Sequence, residues 1–327
     1  MWDRGGGGCC DGAVRSAWSD FYGGSLPLKV RSAELGTSPQ AIFAAAFCAG
    51  LVTFFVVIVL FNFGLFFHQN EVIGLCEFVL IVNLAMVWNH RPSLERRSPL
   101  LLPAAVCSAL AILLGSLLGT YCYDHYGYFN FMYANSRIYH NVVPSENAAS
   151  MSDAGRVVFA PEAWVDRSKA AGYSKSGTKY CAAPVRGLEE PRRVEFWAVG
   201  VDCCGTSGSF TCDAAVGQAG GNATAAAAPK DGKEHGGVIV FDSPGLFGLG
   251  MKARYDTARK KAEAAQQLIT AEEYIYVRWV SLKEVDSLTA TYSEHAWLFI
   301  WMATVAWTVV SIPFAWLMSN RLLRLEH

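Results

Sequence analysis

Cysteines, a carboxylate set in an apolar run and a few histidines are the residues of this 327-residue chain best placed to do chemistry. Four of the ten cysteines, Cys181, Cys203, Cys204 and Cys212, share one segment between two long apolar blocks. An even count in an oxidising compartment argues for two disulfides. A bond between the neighbours Cys203 and Cys204 is strained, which leaves Cys181 paired with one of them and Cys212 with the other. Each bridge would contribute about 2–4 kcal/mol. A metal site completed by His235 or His140 is the rival use, but the segment lacks the pair separated by two to four residues that zinc favours. It also lacks a Cys-x-x-Cys redox pair. Cys48, Cys76 and Cys107 lie in apolar blocks and read as small hydrophobes, with Cys122 at a block's end, while Cys9 and Cys10 are acylation candidates in the N-terminal tail.

Glu77 is the only acidic residue in any apolar block, with Asn62 and Asn83 as its nearest polar company. A charge at membrane depth costs on the order of 2–3 kcal/mol unless it is paired or protonated. It therefore reads either as a hydrogen-bonded bundle contact or as part of a proton or cation pathway. The internal repeats and broken helices of transporters are absent. Cys107, Ala111, Gly115 and Gly119 recur every four residues, a stripe of small side chains on which helices approach closely.

Catalytic frames are missing. There is no Gly-x-Ser-x-Gly elbow and no His-Glu-x-x-His helix. His125 and His140 stand alone as bases. The turn Asp242-Ser243-Pro244-Gly245 is similar to a GTPase metal-binding turn and Gly172 to Lys179 loosely imitates a phosphate loop, but Gly177-Thr178-Lys179 replaces the required Gly-Lys-Ser/Thr. The expectation is no enzyme activity, no cofactor, no metal, no nucleotide and no nucleic acid.

The elements that must hold these residues are mostly membrane helices. Residues 41–67, 99–122 and 296–318 contain no charged side chain, and each can cross a bilayer that needs about 20 helical residues. Residues 72–88 read as a further, shorter span, paired with the first as a tight hairpin. Arg91, Arg96 and Arg97 in the loop 89–98 mark the cytosolic side, and the tails 1–40 and 319–327 carry Arg4, Arg15, Lys29, Arg31, Arg321 and Arg324. Both termini are then cytosolic and residues 123–295 are translocated. Trp297, Trp301 and Trp316, with the tyrosines after residue 120, form interfacial belts.

The translocated segment is large enough for one domain. Strands are expected at residues 156–159, 194–201, 238–241 and 274–280, and a helix at 252–269. Residues 214–235 read as a mobile loop carrying the glycosylation sequon at Asn222. The fold class is a membrane four-helix bundle with an extracytoplasmic, disulfide-bonded α+β domain between spans three and four.

Four spans, cytosolic tails, a small first outer loop, a large second one and Cys203-Cys204-Gly205 within it resemble the tetraspanins. The resemblance implies that Cys203 and Cys204 join other cysteines in disulfides that shape a partner-binding surface, and that the spans organise other membrane proteins. Cys181 preceding the motif and the β-rich loop depart from that family. The function expected is a non-catalytic multi-pass protein of the plasma or secretory-pathway membrane, presenting its outer domain to other membrane proteins or to itself. The alternative is a transport-associated protein using Glu77.

Overall fold

A computed structural model describes residues 38–89, 101–188, 193–205, 209–212, 235–242 and 250–325. The tail 1–37, the basic loop 90–100 and the sequon at Asn222 lie outside the described residues. Among the described residues, three helices are long and apolar enough to cross a membrane. The first is α1 (Pro39–Asn89), the second runs through α2 (Leu101–Cys122), a π-helical turn Tyr123–Gly127 and α3 (Tyr128–Asn135), and the third is α5 (Leu282–Leu325).

Helix α1 is interrupted at His68, whose φ of −135° and ψ of 46° leave the helical region. The break falls in the polar run His68 to Glu71, where side chains prefer water to packing and His68 pairs with Glu71 at 2.8 Å. It bends the chain sharply. Gly64 lies so near Val72 that a Cβ there would stand 2.8 Å from its Cγ2, whereas residues eight apart on an unbroken helix are about 12 Å apart along the axis.

The first half of α1 and α2 run in the same direction. Gly50 touches Cys107, Gly115 touches Val57 and Gly119 touches Phe61. Helix α5 runs the opposite way, with Trp297 beside Phe63, Trp307 stacked on Phe54 at 5.2 Å and Ala315 packed with Ala46. The Trp307 indole N–H donates to the Gly50 carbonyl at 3.2 Å. Buried Phe54, Ile58, Ala111, Cys122, Ala296 and Ile300 fill the space between the three helices.

The domain between α3 and α5 is a mixed eight-stranded sheet, where the sequence predicts four strands. Its strands are β1 (Arg137–Val142), β2 (Ala154–Phe159), β3 (Trp164–Val165), β4 (Ala171–Lys175), β5 (Thr178–Arg186), β6 (Val194–Val201), β7 (His235–Ile239) and β8 (Thr270–Val280). Their order is β1-β2-β7-β8-β6-β5-β3, with β4 also on β5. The β1–β2 and β6–β8 pairs are parallel and the rest antiparallel.

Central β6 alternates its side chains between two cores, as the two-residue period of a strand requires. Phe196 and Ala198 enter one core with Phe159, Val277 and Trp279. Trp197 and Val199 enter the other, where helix α4 (Met251–Gln266) lays Tyr255, Ala258 and Ala262 on the sheet. Phe196 and Trp197 are both 0% exposed, and burying each such side chain contributes about 1.5–3 kcal/mol. The β4–β5 hairpin turns through Ser176 and Gly177, both at positive φ, the backbone that two-residue hairpins favour.

The boundary between domain and spans differs from the sequence expectation. Helix α5 begins at Leu282, fourteen residues before position 296, because Leu282 to His295 continue the helical repeat and bury Val285 and Leu288 against the sheet. At the other side the helix continues past Cys122 to Asn135. His235, placed at the end of the predicted loop 214–235, is the first residue of β7.

Candidate functional site

The cysteines come together at one edge of the sheet. Cys181 on β5 is bonded to Cys204 with 5.8 Å between Cα atoms, and Cys203 to Cys212 with 4.9 Å. The bridges are neighbours, since the sulfurs of Cys181, Cys203 and Cys212 lie within 4.8 Å of one another. Space for them comes from two glycines. A Cβ on Gly200 would meet the Cys203 and Cys212 sulfurs at 2.5 Å, and one on Gly172 would meet the Cys204 sulfur at 2.8 Å. The knot is closed by main-chain bonds from Thr211 to Cys203 and from Gly205 to Ser209, and it buries Phe210 in the core.

A cleft of about 420 Å³ opens where the end of β7 and the first turns of α4 meet the first half of β8 and the turn Ala148–Met151. Asp256 on α4 sits on its wall and accepts hydrogen bonds from the hydroxyls of Tyr274 at 2.7 Å and Tyr276 at 2.5 Å. Arg259 donates to Tyr276 at 3.1 Å, pairs with Glu263 and lies 4.4 Å from the Tyr274 ring centre. Burial would raise the Asp256 carboxyl, but the two tyrosine hydroxyls, Arg259 and Lys260 outweigh it and hold it below the usual carboxylate range. Burial and the same carboxylate push Tyr276 far up. Lys252 against Asp256, Glu272 and Glu273 leaves the described lining acidic. It contains neither His nor Cys among the described residues, and therefore no nucleophile with an adjacent imidazole base.

Of the turn Asp242-Ser243-Pro244-Gly245, only Asp242 lies among the described residues. Asp242 accepts the main-chain N–H of Lys252 at 2.9 Å and so caps α4. Residues 172–179 form the β4–β5 hairpin, with no helix following the glycine. His140 lies on β1, and the imidazole of His125 is hydrogen-bonded to the Tyr121 carbonyl at 2.9 Å.

The polar residues within the helices do not converge. Asn62 is 0% exposed, Gly127 of the π turn lies against its side chain, and its amide has no hydrogen-bond partner among the described residues. Asn83 donates to the Val79 carbonyl one turn back on its own helix at 2.8 Å. Glu77 is exposed, beside exposed Phe78, while its neighbour Cys76 faces the buried side. A Glu77 side chain turned toward neighbouring helices is therefore not what the structure has. The buried stripe of this segment starts at Val72 and Cys76, and Glu77 falls about 100° round the helix from Cys76. The small stripe Ala111, Gly115 and Gly119 faces α1 within the same chain.

One feature that the sequence did not single out is the joint between domain and spans. Tyr133, Val238, Val280, Val285 and Leu288 form a buried cluster, with Phe129, Phe241 and Tyr292 against it. The Tyr133 hydroxyl donates to the Ile239 carbonyl at 2.8 Å, and the Arg156 guanidinium donates to the carbonyls of Val285 at 3.2 Å and Tyr133 at 3.4 Å. Only Ser281 separates β8 from α5. No family model, curated protein or solved structure matches this chain.

Proposed function

We propose that this is a non-catalytic four-span membrane protein that holds a disulfide-stapled domain on the extracytoplasmic face and binds other membrane proteins through it. The fourth span is the second half of α1, returned across the bilayer by the break at His68. The contact of Gly64 with Val72 and the shared direction of the first half of α1 and α2 support that reading. The meeting of Ala46 with Ala315 supports tails on one side, and the basic loop and tails favour the cytosol. Two disulfides suit a translocated domain.

The observation that carries the reading is the joint. A domain packed on α3 and α5 through an apolar cluster and tied by Arg156 and Tyr133 is held at a fixed angle to its spans. Fixed presentation suits an organiser or a constant subunit of a membrane complex, whose partners must be met in one geometry. The transport alternative requires Glu77 to share a path with Asn62, and the exposure of one and burial of the other lend it no support.

The test is in-cell cross-linking followed by purification of the tagged protein from mild detergent, comparing wild type with the Cys181→Ser/Cys204→Ser variant. A stoichiometric membrane partner held by wild type and lost with the bridge is the expected result. A wild-type protein that emerges alone overturns the reading.

A further inference from the structure

Glu77 stands on the outer side of the second half of α1, a side that nothing among the described residues covers. Ile81 and Leu84, one and two turns further along, are exposed on the same side, and Phe78 next to Glu77 is exposed as well. Glu77 is six residues beyond the exposed polar turn at Glu71, about 9 Å further along the helix. In the four-span reading this places a carboxylate among apolar side chains below the lipid surface, where an uncompensated charge is unfavourable. Polar groups at such depth ordinarily face a bundle interior or a cavity. This one faces outward.

Two further observations say what covers it. Gly74, one turn above Glu77 on the same side, has open space in front of it, with nothing within 4 Å of where a Cβ would be. A small residue with free space beside a polar one is the arrangement that lets a second helix approach closely. The second observation concerns charge. Residues 41–67, 72–88, 99–122 and 296–318 contain no Lys, Arg or His, so a second copy of this chain brings no cation to that depth.

We propose that the Gly74–Glu77–Ile81 face is the seat of a membrane-spanning helix from a different protein, one that carries a single Lys, Arg or His side chain at the depth of Glu77. The charge pair compensates the carboxylate, Gly74 admits the partner's backbone, and Ile81 and Leu84 supply the apolar contact. This rests on the reading of the chain as a four-span partner-binding protein, and it adds a contact within the bilayer to the one made by the outer domain.

The experiment uses probes of defined chemistry. The full-length protein is co-expressed with a single-span Leu/Ala helix bearing one Lys about six residues below its extracytoplasmic end, or with the same helix bearing Leu there. Association is read by energy transfer between fluorescent tags. The Lys probe should associate about three- to tenfold more strongly than the Leu probe. The difference should vanish in Glu77→Gln and return for Glu77→Lys paired with a probe carrying Asp. Equal association of the two probes with wild type overturns the proposal, as does a Lys-probe signal unchanged in Glu77→Gln. Glu77-dependent association of the chain with itself, instead of with the Lys probe, overturns it as well.

Retention of the cross-linked natural partner by Glu77→Gln, with the Lys-probe difference abolished, would support both readings, since the outer domain still holds that partner. Loss of that partner in the Cys181→Ser/Cys204→Ser variant, with the Lys probe still bound, would separate the two contacts. The Glu77→Gln side chain has the same shape, and recovery of both disulfides in that variant controls for folding.

Discussion

Four residues set what the disulfide-bonded sheet domain tolerates. The Cys181–Cys204 bond closes a separation of 23 residues, so Cys181→Ser with Cys204→Ser should lower the domain's unfolding free energy by about 3 kcal/mol, read by denaturant titration of the oxidised protein. Gly200→Ala should interfere with the other bridge, because its methyl group would occupy the space of the Cys203 and Cys212 sulfurs. Free-thiol labelling of that variant should rise above wild type. At Asp256 the prediction concerns pH. Its folded-state value is depressed below the ordinary one, so the stability it confers is complete above about pH 4, the value in an unfolded chain, and is lost as acid protonates the folded carboxylate. Thermal unfolding at pH 7 should show Asp256→Asn less stable than wild type, and the gap should narrow on going from pH 5 to pH 3.

At the scale of elements, the same chemical change has opposite expected effects on two helices. A Cβ on Gly119 of α2 would stand 2.6 Å from the Phe61 Cβ and 3.3 Å from the Ile58 backbone, whereas one on Gly74 of α1 meets nothing. Gly119→Ala should destabilise the helix packing by about 1–3 kcal/mol, while Gly74→Ala should be neutral or gain up to about 1 kcal/mol of helix propensity. Melting of the detergent-solubilised protein checks both. The long apolar helices were readable from sequence because twenty uncharged residues admit few alternatives. Strand β6 was readable to its ends because Val194 to Val201 is β-branched and aromatic between polar neighbours. Strand β5 escaped because Ala182, Ala183 and Pro184 carry no strand signal, and it exists through pairing with Ala198 and Trp197. The early start of α5 escaped because Lys283, Glu284 and Asp286 conceal a face that buries only Val285 and Leu288. Of the candidate residues, the cysteines were legible from chemistry alone. The outward aim of Glu77 was not, since a one-residue step decides whether a side chain enters a bundle or leaves it.

For the whole molecule, sidedness is the quantity to measure. The sequon at Asn222 should carry a glycan, visible as a gel shift removed by endoglycosidase and absent in Asn222→Gln. A Cys added at either tail should react with an impermeant maleimide only after the membrane is opened. A glycan-free protein whose tails label in intact cells would invert the orientation and place the disulfide domain in a reducing compartment, against the bonding of its four cysteines.

The one-residue joint at Ser281 has a consequence for kinetics. A domain on a flexible tether searches a volume, and a partner in the same membrane meets it at an effective concentration diluted over every orientation. Here β8 passes into a 44-residue helix through a single residue, so orientational search is largely settled before the encounter and the entropy of fixing the domain is spent in folding instead of in binding. Inserting Gly-Ser repeats after Val280 should therefore leave both disulfides intact and slow capture of a membrane partner without speeding its release. In the proposed reading, the spans act as a mount that sets the heading of the domain, and two molecules in one bilayer would need only to drift laterally to meet face to face.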